Sequence, residues 1–561
     1  MTALERWQHR LKSLGRFPAR PVTWLGAALF CIWALIDVMV LHLSHGLAQP
    51  TYDGMVRMRL HARPPDPRIV IVDIDEASLA RMGREFGQWP WPRDTLATVL
   101  DYIEGQRPAA IAWDVIFSDA DRASPGGDAA FDAAARRSAH SHFSVVRLPP
   151  AGDEASQVRR ELLPRLWVPP SVAGTPSAST STVALIPPRL PGVAAAQLGF
   201  NNGYADGDGT LRRYRYAERL PDGSVIQSLP LSVVSTLNPA AYTGLVGDVL
   251  HADASDPAGP QGELIDWRAS ADVYPRVPFA DVFGAAEQGE TLGPVPSFGG
   301  KIVVIGATAP ALHDLHPTPL SPNQQGVETL ATVLDDALND HHLLELPRWS
   351  EAALACAFFL GIALWVDARG VTSLSHVTLV LPALLLGLSY ASLNFGRMYL
   401  DLHLAAGLGL LFLAALRIWN ALRRDYWYSM PDAMPASGLA AWAILGREVW
   451  TNLQLDSLLN ALQRHAPDCR VVANDPSASW PTGVRWPDLA RAATVVGPAA
   501  SLEAALPQLR KALGRRVVLE QELLHMGGAA PGELFSTVFQ GWSDLFRRLG
   551  AKPGAPVGAM P

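Results

Sequence analysis

Cysteine is nearly absent from this chain: 561 residues include three, and none of them lies between Ser44 and Arg348. That long block can have no disulfide framework, so its stability has to come from an apolar core. Excess positive charge is missing too. With 46 Lys and Arg against 53 Asp and Glu the formal charge is -7, which argues against a nucleic-acid binder, because phosphate contacts need a concentrated basic face. From Asp425 to Pro561 there is no Gly-rich kinase loop with a His-Arg-Asp signature, no Gly-x-x-x-x-Gly-Lys loop and no Gly-Gly-Asp-Glu-Phe run. Kinase, phosphate-loop and diguanylate cyclase outputs therefore lose their support. His465 lies on an amphipathic segment but precedes Ala466-Pro467, with no ATP-binding domain after it, which speaks against a phosphoacceptor.

Charge is also scarce in four blocks long enough to cross a hydrocarbon core, which takes roughly 20 residues. The first runs from Pro21 to Leu43, behind a basic segment carrying Arg6, Arg10, Lys12, Arg16 and Arg20. Such a flank is held in the cytoplasm, and the length favours an uncleaved anchor over a signal peptide. The other spans are expected at 349–366, 374–393 and 401–419, followed by Arg417, Arg423 and Arg424. Four crossings predict both termini inside a plasma membrane, with 44–348 outside and 430–525 inside. Asp37 falls within the first span. Either it couples that span to the other three, or it reaches the headgroups from the outer end.

Within the outer block, Ile69 to Asp73, Ala110 to Val115 and Lys301 to Ile305 are continuous apolar runs, the pattern of strands buried on both faces. Helical spacing follows them: Leu96, Val99, Leu100 and Ile103 within Arg93–Glu104, then Leu330, Val333, Leu334 and Leu338 within Val327–Leu338. An α/β sheet results, with antiparallel additions around Thr210 to Arg219. In such sheets ligands bind beyond the carboxyl ends of the strands. The residues there are Asp73 and Asp75, Asp114 and Ser118, and Gly306-Ala307-Thr308. Three carboxylates at one edge suit a hard cation such as calcium or magnesium, but capping of the next helix explains Asp75 equally well. Trp89-Pro90-Trp91-Pro92-Arg93 is a rigid aromatic loop before a helix. Its indoles either wall a small-ligand pocket or plug the end of the sheet. His313, Asp314 and His316 cluster without a third protein ligand evident for zinc, so a loop is the simpler reading. Asp206-Gly207-Asp208-Gly209 resembles half a calcium loop, yet without the closing Glu it reads as a turn between strands.

Tyr52-Asp53 with Arg57, Ile69 to Leu79, Trp89 to Arg93, Ala110 to Phe117, Asp208-Gly209 with Arg212, Lys301 to Thr308, His313-Asp314, Thr318-Pro319 and Gly326-Val327-Glu328 fall in an order that resembles CHASE2 domains. The resemblance covers nearly the whole outer block. It implies an extracytoplasmic sensor behind one span, followed by three close spans and a cytoplasmic output, with the sensed ligand undefined. Two stretches depart from the family's pattern, Thr329-Leu330-Ala331-Thr332 and Ile265-Asp266-Trp267-Arg268, so a shared ligand does not follow.

The tail alternates: strands at Ala441–Leu445, Cys469–Asn474, Thr494–Gly497 and Arg515–Glu520, helices at Leu455–His465, Trp486–Ala493 and Ser501–Leu513. This pattern predicts a small α/β unit with a parallel sheet. Asn474-Asp475 sits at a strand end or a turn. Residues 532–549 carry an aromatic stripe for packing, for the inner membrane surface or for a partner, and 550–561 reads as disordered. The whole is read as a membrane receptor, in contact with lipid, whose outer domain senses an unidentified ligand and whose inner domain, without an enzymatic motif, regulates a separate effector. A divergent nucleotide-related enzyme and a structural envelope subunit are the alternatives. Receptor architecture suggests a homodimer; the sequence leaves any cofactor unknown. The ligand-site candidates are Asp73, Asp75, Trp89, Trp91, Arg93, Asp114, Thr308, His313 and Asp314.

Overall fold

The computed structural model describes residues 14–156, 182–219, 225–251, 262–288, 295–370, 378–396, 398–428, 438–446, 450–473, 492–514 and 518–526. The expectations for Arg6, Arg10 and Lys12, for Asn474-Asp475, for most of Trp486–Ala493, and for 532–561 lie outside them. The chain forms two compact units, one of residues 47–346 with 389–400, the other of 1–46, 347–388 and 401–561.

The first unit is built on a parallel sheet. Its strands are β1 (Ile69–Ile74), β2 (Ala110–Trp113), β3 (Ser141–Arg147), β4 (Leu198–Phe200), β5 (Arg276–Pro278) and β6 (Ile302–Ala307). They lie side by side as β5-β1-β6-β2-β3-β4, all parallel, and Leu185–Ile186 adds an antiparallel pairing to the end of β3. The continuous apolar runs are accounted for, since every residue of β1 and β2 is buried and a sheet covered on both faces offers no polar side.

Helices α1 (Glu76–Phe86), α2 (Arg93–Gly105), α3 (Gly127–Arg137), α4 (Leu229–Leu237), α5 (Phe279–Gln288) and α6 (Gly326–Asn339) supply that cover. Leu96, Val99, Leu100 and Ile103 of α2 enter one core with Val72, Ile111, Phe131 and Ile305, as the spacing predicts. Helix α6 is different, because Val327 to Leu338 is buried at every position. Its acids consequently need internal cations: Arg276 Nη2 lies 2.7 Å from Glu328, and Arg268 Nη2 lies 2.9 Å from both Asp335 and Asp336. The Thr210–Arg219 region forms the expected antiparallel pairs, Arg213–Tyr214 with Glu263–Leu264 and Ala217–Arg219 with Val225–Gln227.

In the second unit, three helices are long and apolar enough to cross a membrane: Ala19–Leu41, Arg348–Arg369 and His403–Trp427. A shorter apolar helix runs over Val380–Phe395. Small buried residues, Ala27, Ala34, Ala355 and Ala363, let the first two long helices approach closely, while Phe30 packs against Phe359 and Phe412. Asp37 bonds within its own segment. Its buried carboxylate accepts the N–H groups of Leu43 (3.1 Å) and Ser44 (3.2 Å), closing the turn where the helix ends.

After the last helix come β7 (Leu439–Gly446), α7 (Asn452–His465), β8 (Arg470–Ala473), β9 (Ala492–Pro498), α8 (Ala499–Leu513) and β10 (Val518–Met526). The expected parallel sheet is corrected here. The order is β8-β9-β7-β10 and every neighbouring pair is antiparallel. Each β-α-β crossover does return a parallel strand, but it skips one position, and an antiparallel strand fills the gap. This is the split βαβ arrangement of ferredoxin-like domains. Ala440, Trp442 and Ile444 of β7 share a core with α7 and α8.

Arg212 carries a testable share of the first unit's stability. It is 3 % exposed and bonds the carboxylates of Asp53 (2.8 Å), Asp206 (2.9 Å) and Asp208 (2.7 Å). Removing the cation leaves acids stranded at a buried site, so Arg212→Ala should destabilise by about 3 kcal/mol, the lower end of the usual range because Asp208 is partly solvated. Chemical denaturation of the full chain in detergent, followed by tryptophan fluorescence, measures this.

Candidate functional site

The carboxyl ends of β2, β4 and β6 surround a cavity of about 890 Å³. Its position follows from the strand order: β6 lies between β1 and β2, and the loops leaving these ends must diverge, opening a crevice between them. Trp89, Trp91, Arg93, Asp114, His313 and Asp314 all line it. Asp73, Asp75 and Thr308 do not.

Those three stitch the sheet edge instead. Asp75 is the N-cap of α1 and accepts the Ser78 N–H at 2.7 Å. Thr308 donates to Asp73 at 2.6 Å, and Arg276 lies 3.6 Å from the same carboxylate. Burial, opposed by these partners, leaves Asp73 above its ordinary range. The set Asp73, Asp75 and Asp114 thus does not converge on a hard cation, and among the described residues no group of three or more His, Cys, Asp or Glu is placed to hold a metal ion.

The aromatic loop serves both roles proposed for it. Trp91 is 2 % exposed, packs on Phe279 at 5.3 Å and stands edge-on to Trp89 at 4.9 Å. Both indoles nonetheless contribute to the cavity wall. Arg93 is spent locally: its side chain donates to Asp128 at 2.5 Å and to the Asp119 carbonyl, its backbone N–H goes to Asp121, and its guanidinium lies over the Phe117 ring. The result is a fixed loop over 117–128 that shapes one side of the cavity.

Asp114 follows β2 directly, and its N–H extends the ladder to Ile305 O at 2.8 Å. Its carboxylate accepts one hydrogen bond, from Asn201 at 2.9 Å. Asp314 approaches from the loop after β6, paired with His316 at 3.3 Å. Its carboxylate rests so near Gly326 that a Cβ there would fall 2.2 Å from Oδ2, so a side chain at the start of α6 would displace the Asp314 carboxylate. Burial, then the neighbouring Asp314 carboxylate, push Asp114 up to about 7, and the Asp314 carboxylate raises His316. Asn201 and Tyr214 are wall residues the sequence did not single out. Asn201 follows a three-residue strand, too short to register as a period. The departing stretch at Ile265–Arg268 is structural, with Asp266 bonded to Arg59 and Arg268 to α6.

A pH test follows from Asp114. The folded chain keeps its proton up to about 7, whereas an unfolded aspartate releases it near the ordinary 3.8. Across that window the folded state binds more protons, so this group's contribution to stability falls as pH rises. Asp114→Asn removes the titration, and its thermal midpoint should gain on wild type between about pH 4 and pH 7. A constant offset between the two melting curves would contradict the assignment.

No curated protein and no solved structure matches the chain. The CHASE2 domain matches residues 27–365, which include the parallel sheet, the cavity walls and parts of the flanking apolar helices. The match covers more than half of the sequence, and the chain belongs to the CHASE2 domain family of extracellular sensors.

Proposed function

We propose that this protein is a membrane receptor whose outer unit captures a small ligand in the cavity of Asp114 and Asp314, and whose helices pass the event to the inner split βαβ domain. The observation that carries this reading is the cavity itself: large enough for a small molecule, walled by indoles, and holding few polar groups in fixed positions, as ligand sites do. Asp73, Asp75 and Thr308 then act on the site only by fixing the sheet edge beneath it.

Four crossings of a plasma membrane, with both termini inside, are supported by two features. Basic residues Arg16 and Arg20 precede the first span, and Arg423 and Arg424 end the last. The connection after Val380–Phe395 belongs to the sensor unit, where Asn394 accepts the Leu60 N–H at 2.7 Å. An even number of crossings needs that connection on the sensor's side. The inner domain regulates a separate effector in this reading. Its central strand, Leu439–Gly446, bears no side chain able to ligate a metal or hold a phosphate.

Relay is assigned to the last helix. Arg423, 1 % exposed, donates to Asp456 at 2.5 Å and to Asn460 at 3.2 Å on α7, and Arg470 of β8 lies over the Tyr426 ring at 4.4 Å. Motion of the helix is thereby tied to the domain.

The test is a fragment screen on the full chain in nanodiscs, read by thermal shift. Gly203→Phe fills the cavity at a position where a Cβ meets only Leu211 at 3.4 Å. Hits should weaken at least about tenfold, ~1.4 kcal/mol, in that variant; equal binding to both proteins, or no hit at all, would refute the cavity as the site. A second variant addresses relay. Arg423→Gln should leave hit affinity unchanged while abolishing the ligand-induced change in hydrogen exchange over 439–526, and persistence of that change would remove Arg423 from the path.

A further inference from the structure

The charges lining the cavity do not balance once each is followed to its partner. Arg93 is committed to Asp128 and to the Asp119 carbonyl. Asp121 accepts the N–H groups of Arg93, Ala123 and Ser124, which hold it ionised and engaged. Asp119, Arg122 and His313 are exposed, as is His316. What remains to meet a ligand is Asp114 with Asp314, whose carboxylate disfavours ionisation of Asp114, and His316 is the base paired against them. The pair thus carries more acid than base.

The walls say what kind of cation. A bare metal ion occupies a small fraction of 890 Å³, and the described residues do not gather three ligating side chains. Trp89 and Tyr214 offer aromatic surface beside the acids, while the Phe117 face is already taken by Arg93. Aromatic faces attract ammonium groups through the ring quadrupole, the more so where water is excluded. Trp91, 2 % exposed, also lines the cavity, and its indole N–H has no acceptor among the described residues. An anion would instead face two acids with no uncommitted buried guanidinium.

We infer that the cavity takes a small organic cation, a protonated or quaternary ammonium compound with an apolar body, its head between Asp114 and Asp314 and its body against Trp89 and Tyr214. This inference rests on the reading of the cavity as the ligand site and adds the ligand's chemical class. Binding should strengthen as pH rises through neutrality. Asp114 then loses its proton, and His316, the imidazolium that competes for Asp314, loses its charge, while Tyr214 stays neutral; Arg93, Asp119, Asp121, Arg122, His313 and Asp314 are the other charged or titratable groups lining the space.

The experiment titrates the full chain in zwitterionic nanodiscs with choline and butylamine, and with butanol and butyrate as neutral and anionic counterparts of matched size. The ammonium compounds should bind at least about tenfold tighter than butanol or butyrate, and Asp114→Asn and Asp314→Asn should each cost about tenfold. The isosteric pair guards against a variant that fails to fold, and affinity for choline should rise between about pH 6 and pH 8 more steeply in wild type than in Asp114→Asn, where His316 alone still titrates beside Asp314. Butyrate or butanol binding as tightly as butylamine, or ammonium binding untouched by both variants, would overturn the inference. If those probes bind but are lost in Gly203→Phe, the cavity stands as the site and only the ligand class is wrong; if ammonium binding survives Gly203→Phe unchanged, both fall.

Discussion

The structure depends on the seating of β6 between β1 and β2. Ile302 to Ala307 pairs with Ile69 to Ile74 on one side, and Ile302 to Ile305 with Ala110 to Trp113 on the other, so a strand from near the end of the sensor unit occupies the centre of a sheet begun near its start. The placement of both cavity carboxylates, Asp114 and Asp314, depends on this insertion. Asp114 is carried to the rim by its N–H bond to Ile305, and Asp314 is delivered by the loop that β6 begins. Because the β1–β6 pairing joins residues more than two hundred positions apart, its ladder forms only after a large loop-closure cost, and the site cannot exist before the domain is complete.

Without disulfides, the unit secures its periphery by burying guanidinium groups among carboxylates. Arg212 gathers Asp53, Asp206 and Asp208; Arg147 takes Asp153 and Glu218; Arg268 takes Asp335 and Asp336. These clusters add little net free energy relative to apolar packing, but breaking one strands a buried charge. Their effect is to fix which loops meet. Asp206–Gly209, which resembles part of a calcium loop, is one half of such a clamp. Its acids already have a cation.

Legibility in the sequence tracked how each element is stabilised. The strands β1, β2 and β6 are apolar along their length because both faces are covered, and the runs announce them. Strand β3 gives no such signal: it reads Ser-His-Phe-Ser-Val-Val-Arg, with His142 bonded to Ser232, Ser144 to the Trp113 carbonyl, and Arg147 to Glu218. Its polar side chains are satisfied inside the core, where hydropathy expects none. Strands β4 and β5 are three residues each, below the length at which alternation means anything. At the cavity, the carboxylates and indoles stood out by type, but only the fold separates Asp114, which faces the space, from Asp75, which caps a helix. In the tail, helix and strand positions were readable, while the antiparallel strand inserted into each crossover left no local trace.

The last helix joins the two halves of the second unit by its length. His403–Tyr428 has 26 residues, about 39 Å at 1.5 Å per residue, against a hydrocarbon core of about 30 Å. The surplus is about six residues, and the segment it corresponds to holds Arg423, Tyr426 and Trp427, the side chains bound into the split βαβ domain. A flexible linker would let the domain average over orientations. Here the helix is continuous from the bundle into the domain core, so a tilt or rotation of the span has to be accommodated within α7 and β8. Gly15 supports the same joint from the other end of the sequence: a Cβ there would meet the Leu422 carbonyl at 2.4 Å, so the segment before the first span packs against the last helix beside Arg423. The segment before the first long helix and the end of the last one therefore meet at one place, next to the residues that hold the split βαβ domain.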